Sequence, residues 1–372
     1  MKAACQTVLV CLAGVAFHAA LLGPVALGRS ARGGNDFAAF YTGGRLAFSP
    51  DLYHLEAFRK VEANITGWVS DELVFIRLPW QAALFAPLAA FRFQTAHAIW
   101  FVLCVLSLIL LPRCWPSIPG VACAGALAWT LPIAVAILGA QDIPLIALAL
   151  SGGMLLIDRQ EPIWAGLCLS VCAAKPHLFW PLALVFVFHR MWRVCAGGVL
   201  GLGALLAASY LTAGPRWVPG FAYSVNYIAR SDSQTKLTHM PAIPAVLAGL
   251  PVGGAIEICI MACAIAAAFF IRNWKTAAAV ALILGIVTAK HVFLADCSFA
   301  LVSLFLVWND ARQRFGLMLA LSPVVWLPSF FGHPVWTVGA LLAGAGWLSL
   351  QEVMVGAPKG DGYYTCEVAS AR

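Results

Sequence analysis

Uncharged stretches divide the chain into a series of apolar segments. A helix of about 20 apolar residues is long enough to cross the hydrocarbon core of a bilayer. The longest uncharged segments reach that length and predict membrane-spanning helices: 3–28, 93–112, 114–141 and 194–215. Shorter segments bounded by ionisable residues predict further spans: 143–157, 162–174, 176–189, 276–289 and 297–309, with 315–351 divided in two at Phe331-Gly332-His333-Pro334. Together these segments predict about 11–12 helices.

The composition supports this pattern. Of 372 residues, 62% are hydrophobic and 10% are charged, whereas a soluble domain carries about 25% charged residues. These values exclude a water-soluble enzyme and an intrinsically disordered chain. A membrane β-barrel would alternate polar and apolar residues along each strand, and the apolar segments here are continuous. We therefore predict an all-α polytopic membrane protein, with a single domain over 1–355 and a short cytoplasmic tail at 356–372.

The basic residues predict the orientation of the chain. With the N-terminus in the cytoplasm, the short outer turns hold only Lys175 and Lys290, and the other basic residues of the short turns lie inside, as the positive-inside rule requires. The two longer segments 29–92 and 214–242 are then extracytoplasmic loops of a plasma-membrane protein. The N-terminal segment is longer than the apolar part of most signal peptides, so we interpret it as a retained first span. The inner basic residues are Arg113, Arg159, Arg190, Arg193, Arg272, Lys275, Arg312 and Arg314.

Cysteines and short motifs give no sign of a cofactor. Neither long outer loop contains a cysteine, and the 12 cysteines include no C-x-x-C pair and no zinc-ligand spacing. The sequence also lacks a P-loop and a dinucleotide-binding glycine pattern. The net charge of +7 is dispersed along the chain, so a bilayer explains it better than nucleic acid does. We expect no metal, no cofactor and no nucleic-acid partner.

The first outer loop is predicted to contain interfacial helices. Apolar residues between Phe37 and Phe48 lie opposite Arg45, a pattern typical of a helix at the membrane surface. A second helix is predicted to begin at Ser49, with Ser49 as its N-cap and Pro50 at its first position. A third apolar element follows over 80–91.

Short polar motifs interrupt the apolar segments in a fixed order. They are Asp36-Phe37, Phe40-Tyr41, Leu52-Tyr53, Leu78-Pro79 with Pro87-Leu88, Gly139-Ala140-Gln141-Asp142, Lys175-Pro176 and Lys290-His291 with Asp296. In this order the chain resembles glycosyltransferase family 87 over about 30–310, although that family has asparagine where this chain has Asp142 and tyrosine where it has Ala295. The resemblance implies a GT-C membrane fold. It also implies an activity like that of the mycobacterial polyprenol-phosphate-mannose-dependent α-mannosyltransferases, which belong to this family.

Sugar transfer from a lipid phosphate to a hydroxyl group needs two kinds of side chain. The transition state is oxocarbenium-like, as in glycoside hydrolysis, and the phosphate leaves without a general acid. One carboxylate must take the proton of the acceptor, and cationic donors must hold the phosphate. A single base opposite the leaving group inverts the anomeric carbon, so a β-linked lipid donor gives an α-glycoside.

Asp36 is predicted to be the catalytic base. It is the first carboxylate after the first span, and it lies near the outer membrane surface where the lipid headgroup sits. The alternative is that Asp36 only caps the helix that begins at Phe37.

Four basic residues are predicted to bind the donor phosphate: Lys175, His177, Lys290 and His291. Lys175 and His177 flank Pro176, which cannot continue a helix, and an ionisable residue at such a break inside a bundle is a candidate functional group. The alternatives are that Lys175 extends to the membrane surface from a tight turn and that His291 is a loop histidine without a role.

Tyr41, Gln141, Asp142 and Asp296 are predicted to contact the substrates. Gln141 and Asp142 end a span at the outer face, where they would either bind sugar hydroxyls or form an ordinary polar turn. Asp296 would either orient Lys290 or His291 or pair with a buried cation.

These residues predict an integral membrane hexosyltransferase. It would move a hexose, mannose by the resemblance, from a polyprenyl-phosphate sugar to a glycolipid or glycan acceptor on the outer face of the membrane. The alternatives are a transporter or flippase of a lipid-linked sugar, which also has broken helices with charges, a non-catalytic membrane scaffold, and a polymerase or ligase of undecaprenyl-linked glycans.

Overall fold

The computed structural model describes residues 2–33, 36–67, 75–231 and 234–354, and every regular element within these ranges is helical. The helices of the N-terminal half are α1 (Lys2–Ala31), α2 (Phe37–Leu46), α3 (Leu55–Thr66), α4 (Pro79–Phe85), α5 (Phe93–Leu110), α6 (Gly120–Trp129), α7 (Leu131–Leu138), α8 (Ile143–Asp158), α9 (Pro162–Leu169) and α10 (Pro176–Phe188). Those of the C-terminal half are α11 (Trp192–Ala213), α12 (Trp217–Ser231), α13 (Gln234–Leu237), α14 (Ile243–Val246), α15 (Gly253–Phe270), α16 (Trp274–Thr288), α17 (Ala300–Leu306), α18 (Ala311–Ala320), α19 (Pro323–Phe330) and α20 (Pro334–Met354). Short 3-10 helices occupy Leu88–Ala90, Leu111–Cys114, Ser170–Ala174 and Leu294–Phe299. The predicted tail at 356–372 lies outside the described residues.

The apolar helices confirm an all-α polytopic membrane fold. Among the described residues, four helices are long and apolar enough to span a bilayer: Cys5–Gly28, Phe93–Cys114, Trp192–Ala213 and Gly253–Phe270. The pair α6 and α7 would form a fifth, broken span. Shorter apolar helices cover Ile143–Asp158, Pro162–Ala174, Pro176–Phe188, Trp274–Thr288 and Leu294–Leu306. The total of about 11–12 spans depends on counting these shorter helices and stays a prediction.

The segment 114–141, predicted as one span, is broken into two helices. The chain forms α6 and α7, which meet at an angle of 65°. Thr130 between them has an extended backbone, and Pro132 lies in the first turn of α7. Proline has no N–H group to donate to the preceding turn, so the helix restarts here. The break turns the end of α7 toward the segment Leu294–Phe299, against which α7 packs.

Helix α16 forms the centre of the core. Every residue from Thr276 to Thr288 is buried, and α10, α15, α17 and α20 surround the helix. Gly285 allows the backbone of α10 to approach at Leu178, because a Cβ atom at position 285 would overlap the Leu178 carbonyl. This close contact fixes the N-terminal end of α10, which carries Lys175.

Helix α2, predicted to be interfacial over Phe37–Phe48, packs among other helices of the protein, and its position at the membrane surface stays a prediction. Nine of its residues are buried, and Arg45 alone in α2 is exposed. The helix packs on α3, α4 and the turn Leu88–Ala90. Phe48 lies beyond its end, 66% exposed and with a φ of +65°. Gly44 permits close packing on α4, because a Cβ atom at this position would overlap the Phe85 carbonyl.

The helix predicted to begin at Ser49 begins at Leu55 instead. The Ser49 hydroxyl accepts a hydrogen bond from the backbone N–H of Asp51, which stabilises a turn. His54 provides the N-cap of α3, since its Nδ1 accepts from the Ala57 N–H at 3.4 Å. The predicted apolar element over 80–91 forms α4 and the 3-10 helix Leu88–Ala90.

The two predicted outer loops contact each other. The ring of Tyr53, before α3, packs edge-on against Phe221 of α12. Arg59 of α3 donates a 2.7 Å hydrogen bond to the hydroxyl of Tyr227 in α12. Segments 29–92 and 214–242 therefore lie on the same side of the molecule, although the side of the membrane stays a prediction.

Candidate active site

Asp36 lies at the start of α2 and points toward the turn between α7 and α8. Its backbone N–H donates to the Gly139 carbonyl at 3.2 Å. Its carboxylate accepts a 2.8 Å hydrogen bond from Nε2 of Gln141. The side chain makes no capping hydrogen bond to α2 within the described residues. The alternative that Asp36 only caps this helix is therefore wrong.

The turn that carries Gln141 and Asp142 has an unusual backbone. Ala140 has a φ of +47°, in the left-handed region that L-residues with a Cβ atom rarely adopt. The indole N–H of Trp100 donates to the Ala140 carbonyl at 2.8 Å and stabilises this conformation. As a result the next two side chains point into the protein. Asp142 is buried and Gln141 is partly buried, and whether they bind sugar hydroxyls stays a prediction.

Asp142 accepts hydrogen bonds from two side chains at the entrance to α4. Arg77 donates to its Oδ1 at 3.3 Å, and Gln81 donates to its Oδ2 at 3.1 Å. The guanidinium carbon of Arg77 also lies 5.5 Å from the centre of the Phe40 ring. Lys175 approaches the same Oδ1 at 3.9 Å.

Lys175 lies at the break between the 3-10 helix Ser170–Ala174 and α10, where the sequence predicted it. Its side chain is buried, with 4% of the residue exposed, and its Nζ is 2.7 Å from Oδ1 of Asp296. The alternative of a lysine extending to the membrane surface is therefore wrong. Oδ2 of Asp296 accepts from the Phe293 N–H at 2.9 Å, which fixes the carboxylate. Asp296 thus pairs with a buried cation, one of the two interpretations considered for it.

These contacts join residues from distant segments into one network. We call it the polar cluster and define it as Asp36, Arg77, Gln81, Gln141, Asp142, Lys175 and Asp296. The cluster holds three carboxylates and two permanent cations.

The two predicted histidines lie beside the polar cluster. His177 is partly buried and close enough to Asp296, Lys175, Arg77 and His291 to interact with them electrostatically. The ring of His291 packs edge-on against Phe293. Lys290 is exposed on the same turn, and it forms no ion pair with any residue that the structure describes. The histidines are therefore better placed than Lys290 to reach a ligand in the cluster.

Tyr41 is placed differently from the prediction that it contacts substrate. It is 4% exposed and lies among the aromatic rings of Phe37 and Phe93. Its hydroxyl donates a 2.6 Å hydrogen bond to the Phe91 carbonyl. The hydroxyl is thus engaged in holding α2 against the segment before α5, which is a structural role.

Arg77 and Gln81 were not predicted from the sequence. Arg77 is a charged residue directly before the apolar motif Leu78-Pro79-Trp80, and Gln81 follows it. A polar pair at the edge of an apolar element was the available signal. Its partner Asp142 is 65 residues away from Arg77, so no local pattern indicates the pairing.

The surroundings of Asp36 favour a role as a base. Burial raises the pKa of its carboxyl group above the ordinary value, and the positive charges of Arg77 and Lys175 oppose that rise. A raised pKa makes the ionised carboxylate a stronger proton acceptor. Within the described part of the chain, no three His, Cys, Asp or Glu side chains gather as metal ligands. Metal-free chemistry stays an expectation.

A sequence profile of glycosyltransferase family 87 matches residues 78–303, which is more than half of the chain. The chain belongs to glycosyltransferase family 87. No curated protein matches the chain, and no solved structure does. The resemblance read from the short motifs is therefore confirmed, and the protein is a membrane glycosyltransferase.

The family 87 match contains most of the polar cluster. Gln81, Gln141, Asp142, Lys175 and Asp296 lie inside it. Asp36 and Arg77 precede it, and the hydrogen bonds of Gln141 and Asp142 connect them to it. As a family 87 enzyme the protein uses a sugar donor and an acceptor at a lipid bilayer.

Proposed function

We propose that this enzyme transfers mannose from a polyprenyl-phosphate donor to a glycolipid or glycan acceptor at the outer face of the plasma membrane, with inversion at the anomeric carbon. One observation carries the proposal. Asp36 is a partly buried carboxylate that accepts a hydrogen bond from Gln141 and lies within electrostatic range of the cations Arg77 and Lys175. The chemistry of a single base and a bound phosphate needs this combination.

The reaction is a single displacement. The acceptor oxygen forms a bond to the anomeric carbon while its proton moves to the Asp36 carboxylate. The bond between the anomeric carbon and the phosphate oxygen breaks, and polyprenyl phosphate leaves with the electron pair. Positive charge develops on the sugar ring in the transition state. The hydrogen bond from Gln141 holds the carboxylate in one orientation throughout, which favours proton transfer.

Lys175, His177 and His291 supply the donors for the phosphate. A lysine ammonium has three N–H donors, and that of Lys175 uses one on Asp296 and lies 3.9 Å from Asp142. The 3.9 Å separation from Asp142 is too long for a hydrogen bond, so two donors remain for phosphate oxygens. Charge-assisted bonds of this kind are the stronger class of hydrogen bond, and they stabilise the charge that the leaving phosphate gains. Lys290, exposed on the neighbouring turn, would attract the headgroup from the membrane surface.

Asp36→Asn tests the base. The purified enzyme in nanodiscs is given polyprenyl-phosphate mannose and a native lipid extract, and mannose transfer is measured. Asparagine keeps the size and still accepts from Gln141, but it takes no proton, so transfer should fall by about 10²–10⁴. Excess donor should not restore it.

Asp310→Asn is the matched control. Asp310 caps α18 by accepting from the backbone N–H groups of Arg312 and Gln313, and asparagine caps about as well. This variant should keep full activity. An Asp36→Asn enzyme within a few-fold of wild type would refute the proposed base.

The donor is identified by comparing four lipids in the same assay: mannose or glucose, each on a polyprenyl monophosphate or pyrophosphate. We expect transfer from the mannosyl monophosphate. Use of a pyrophosphate donor alone would favour a polymerase or ligase. The flippase alternative is tested in liposomes of the same lipid composition as the nanodiscs. Movement of the lipid-linked sugar across the liposome membrane without transfer would favour it.

The orientation is tested by labelling whole cells with an impermeant thiol reagent. Glu56→Cys in α3 and Arg159→Cys after α8 both place a thiol at an exposed position. Labelling above the wild-type background is expected at 56 only, because 29–92 is proposed to be extracytoplasmic. The reverse result would put the polar cluster on the cytoplasmic side.

A further inference from the structure

Two glutamines of the polar cluster are held in the same way. Gln81, which is 2% exposed, donates its side-chain N–H to Asp142 at 3.1 Å, and Gln141 donates to Asp36 at 2.8 Å. A carboxylate accepts hydrogen bonds, so the nitrogen of each amide must face its aspartate. The orientation of both amides is therefore fixed, including the position of the carbonyl oxygen.

The carbonyl oxygens of Gln81 and Gln141 are both buried, and neither has a hydrogen-bond partner within the described residues. Most buried polar atoms in native proteins are paired, and an exception calls for an explanation. Nε of Arg77 is a third such exception in the polar cluster. The two glutamine oxygens, each on an amide fixed by an aspartate, indicate that a ligand supplies the missing partners.

The chemistry of these atoms limits what the ligand is. A carbonyl oxygen only accepts hydrogen bonds, so its partner must present an O–H or N–H group. Phosphate oxygens cannot serve, and the cations of the cluster suit them instead. The cluster therefore contains both acceptors, the two glutamine oxygens and Asp36, and donors, Arg77 and Lys175. A sugar phosphate has the complementary arrangement, with hydroxyl groups at one end and an anion at the other.

We propose that Gln81 and Gln141 form a carbohydrate subsite in which their carbonyl oxygens accept hydrogen bonds from hydroxyl groups of the substrate sugar. This inference rests on the proposed function and deepens it, because the two glutamines then determine which hydroxyl groups the enzyme requires. Each glutamine also positions its aspartate. Each of them therefore links sugar recognition to a carboxylate of the polar cluster.

The test combines deoxy sugars with glutamine variants. Polyprenyl-phosphate mannose donors lacking one hydroxyl each are compared with the parent donor, and a second series removes hydroxyls from the acceptor. Wild type should lose about tenfold or more for at least one missing hydroxyl, because a buried acceptor is left unpaired. Gln81→Met or Gln141→Met should be insensitive to the loss of that hydroxyl while keeping its sensitivity at the others. The series that responds tells whether the donor sugar or the acceptor sugar occupies the subsite.

Gln313→Met is the matched control. Gln313 is a buried glutamine whose carbonyl oxygen already accepts from the Thr276 hydroxyl at 3.3 Å. The Gln313→Met variant should leave the relative activities on all the deoxy donors unchanged. Because the readout is a ratio between donors, a variant with less folded enzyme still gives an interpretable profile.

Two results would overturn the inference. One is a flat deoxy profile in wild type, which needs no variant to be observed. The other is an equal loss on every donor in Gln81→Met and Gln141→Met, which would mean that they act on the fold alone. Equilibrium binding of the same lipids in nanodiscs distinguishes failure of the carbohydrate subsite from failure of the proposed function. If the enzyme transfers no sugar but still discriminates between deoxy lipids in binding, the carbohydrate subsite is supported and the proposed mechanism is wrong.

Discussion

Two lysine–aspartate pairs in this molecule have almost the same geometry and opposite surroundings. Lys175 and Asp296 are 2.7 Å apart, with side chains 5% and 5% exposed. Lys275 and Asp158 are 2.8 Å apart, with side chains 38% and 43% exposed. The first pair lies in the polar cluster at the start of α10, and the second joins the start of α16 to the end of α8.

The difference in burial decides whether a contribution to stability can explain each ion pair. An exposed ion pair contributes about 0–1 kcal/mol. A buried pair must overcome the loss of hydration of both charges, and apolar residues in its place are often as stable or more stable. Stability therefore explains the pair at Lys275 easily and the pair at Lys175 poorly. The proposed placement of a cation beside the substrate phosphate would account for the pair at Lys175.

The largest effect is expected from Lys175→Met. This change leaves Asp296 buried without its partner, which costs about 3–5 kcal/mol. Chemical unfolding in detergent, followed by tryptophan fluorescence, measures the loss in the free energy of unfolding. The variant should also lose transfer activity.

A double variant sharpens the comparison. Lys175→Met combined with Asp296→Leu removes both charges and should recover most of the lost stability, since no unpaired charge remains. It should not recover activity if Lys175 binds the phosphate. A stable and active double variant would show that the buried pair has no catalytic function.

A second effect concerns the pH dependence of Asp36. Its pKa is raised in the folded protein by burial, so the transfer rate should fall on the acid side at a higher pH than an ordinary aspartate would give. In the window between the ordinary and the raised pKa, unfolding releases a proton, and stability falls as the pH rises through it. Asp36→Asn has no carboxyl group to ionise, so its stability does not fall for this reason as the pH rises. It should be at least as stable as wild type at neutral pH, with no difference below the ordinary aspartate pKa.

Thermal unfolding across a pH series measures this directly. A neutral-pH stability of Asp36→Asn below that of wild type would mean that the ionised carboxylate stabilises the fold. Asp36 would then be an ordinary structural charge, contrary to its proposed role.

A smaller effect is expected from Lys275→Met. The pair with Asp158 is partly exposed, so its loss should change the free energy of unfolding by about 0–1 kcal/mol. Transfer activity should stay at the wild-type level, because Lys275 lies outside the polar cluster. The same unfolding experiment serves as the control for Lys175→Met, and equal losses at the two sites would contradict the comparison.

The smallest effect concerns salt. The Debye length is about 3 Å at 1 M ionic strength, so the coupling between Lys275 and Asp158 should decrease by a few tenths of a kcal/mol when salt is raised. The coupling between Lys175 and Asp296 should not change, because solvent ions do not enter the cluster. Double-mutant cycles at low and high salt measure both.

Local signals predicted part of this site. The break at Lys175 follows from Pro176, which lacks an N–H group, and the position of Asp36 follows from its place after the first span. The all-α membrane fold follows from the uncharged segments. Each of these features depends on residues close together in the chain, which is why the sequence indicated them.

The remaining features depend on tertiary packing. The apolar residues of α2 suit a lipid surface or a protein core equally well, and only the tertiary packing of α2 on α3 and α4 decided between them. Ser49 made a turn because its hydroxyl bonded locally to Asp51. Arg77 and Gln81 became part of the site through Asp142, which is 65 and 61 residues away from them.

The long separations within the polar cluster have a kinetic consequence during biosynthesis. Asp36 precedes its partner Gln141 by 105 residues, and Lys175 precedes Asp296 by 121. At a synthesis rate of about 5–20 residues per second, each group waits roughly 5–25 s before its partner leaves the ribosome. For that time the nascent chain holds an unpaired carboxylate and then an unpaired ammonium group next to apolar helices. The last bond of the cluster therefore closes late, and a ribosome-bound chain that ends before residue 296 should be captured by membrane chaperones or proteases more readily than one that extends past it.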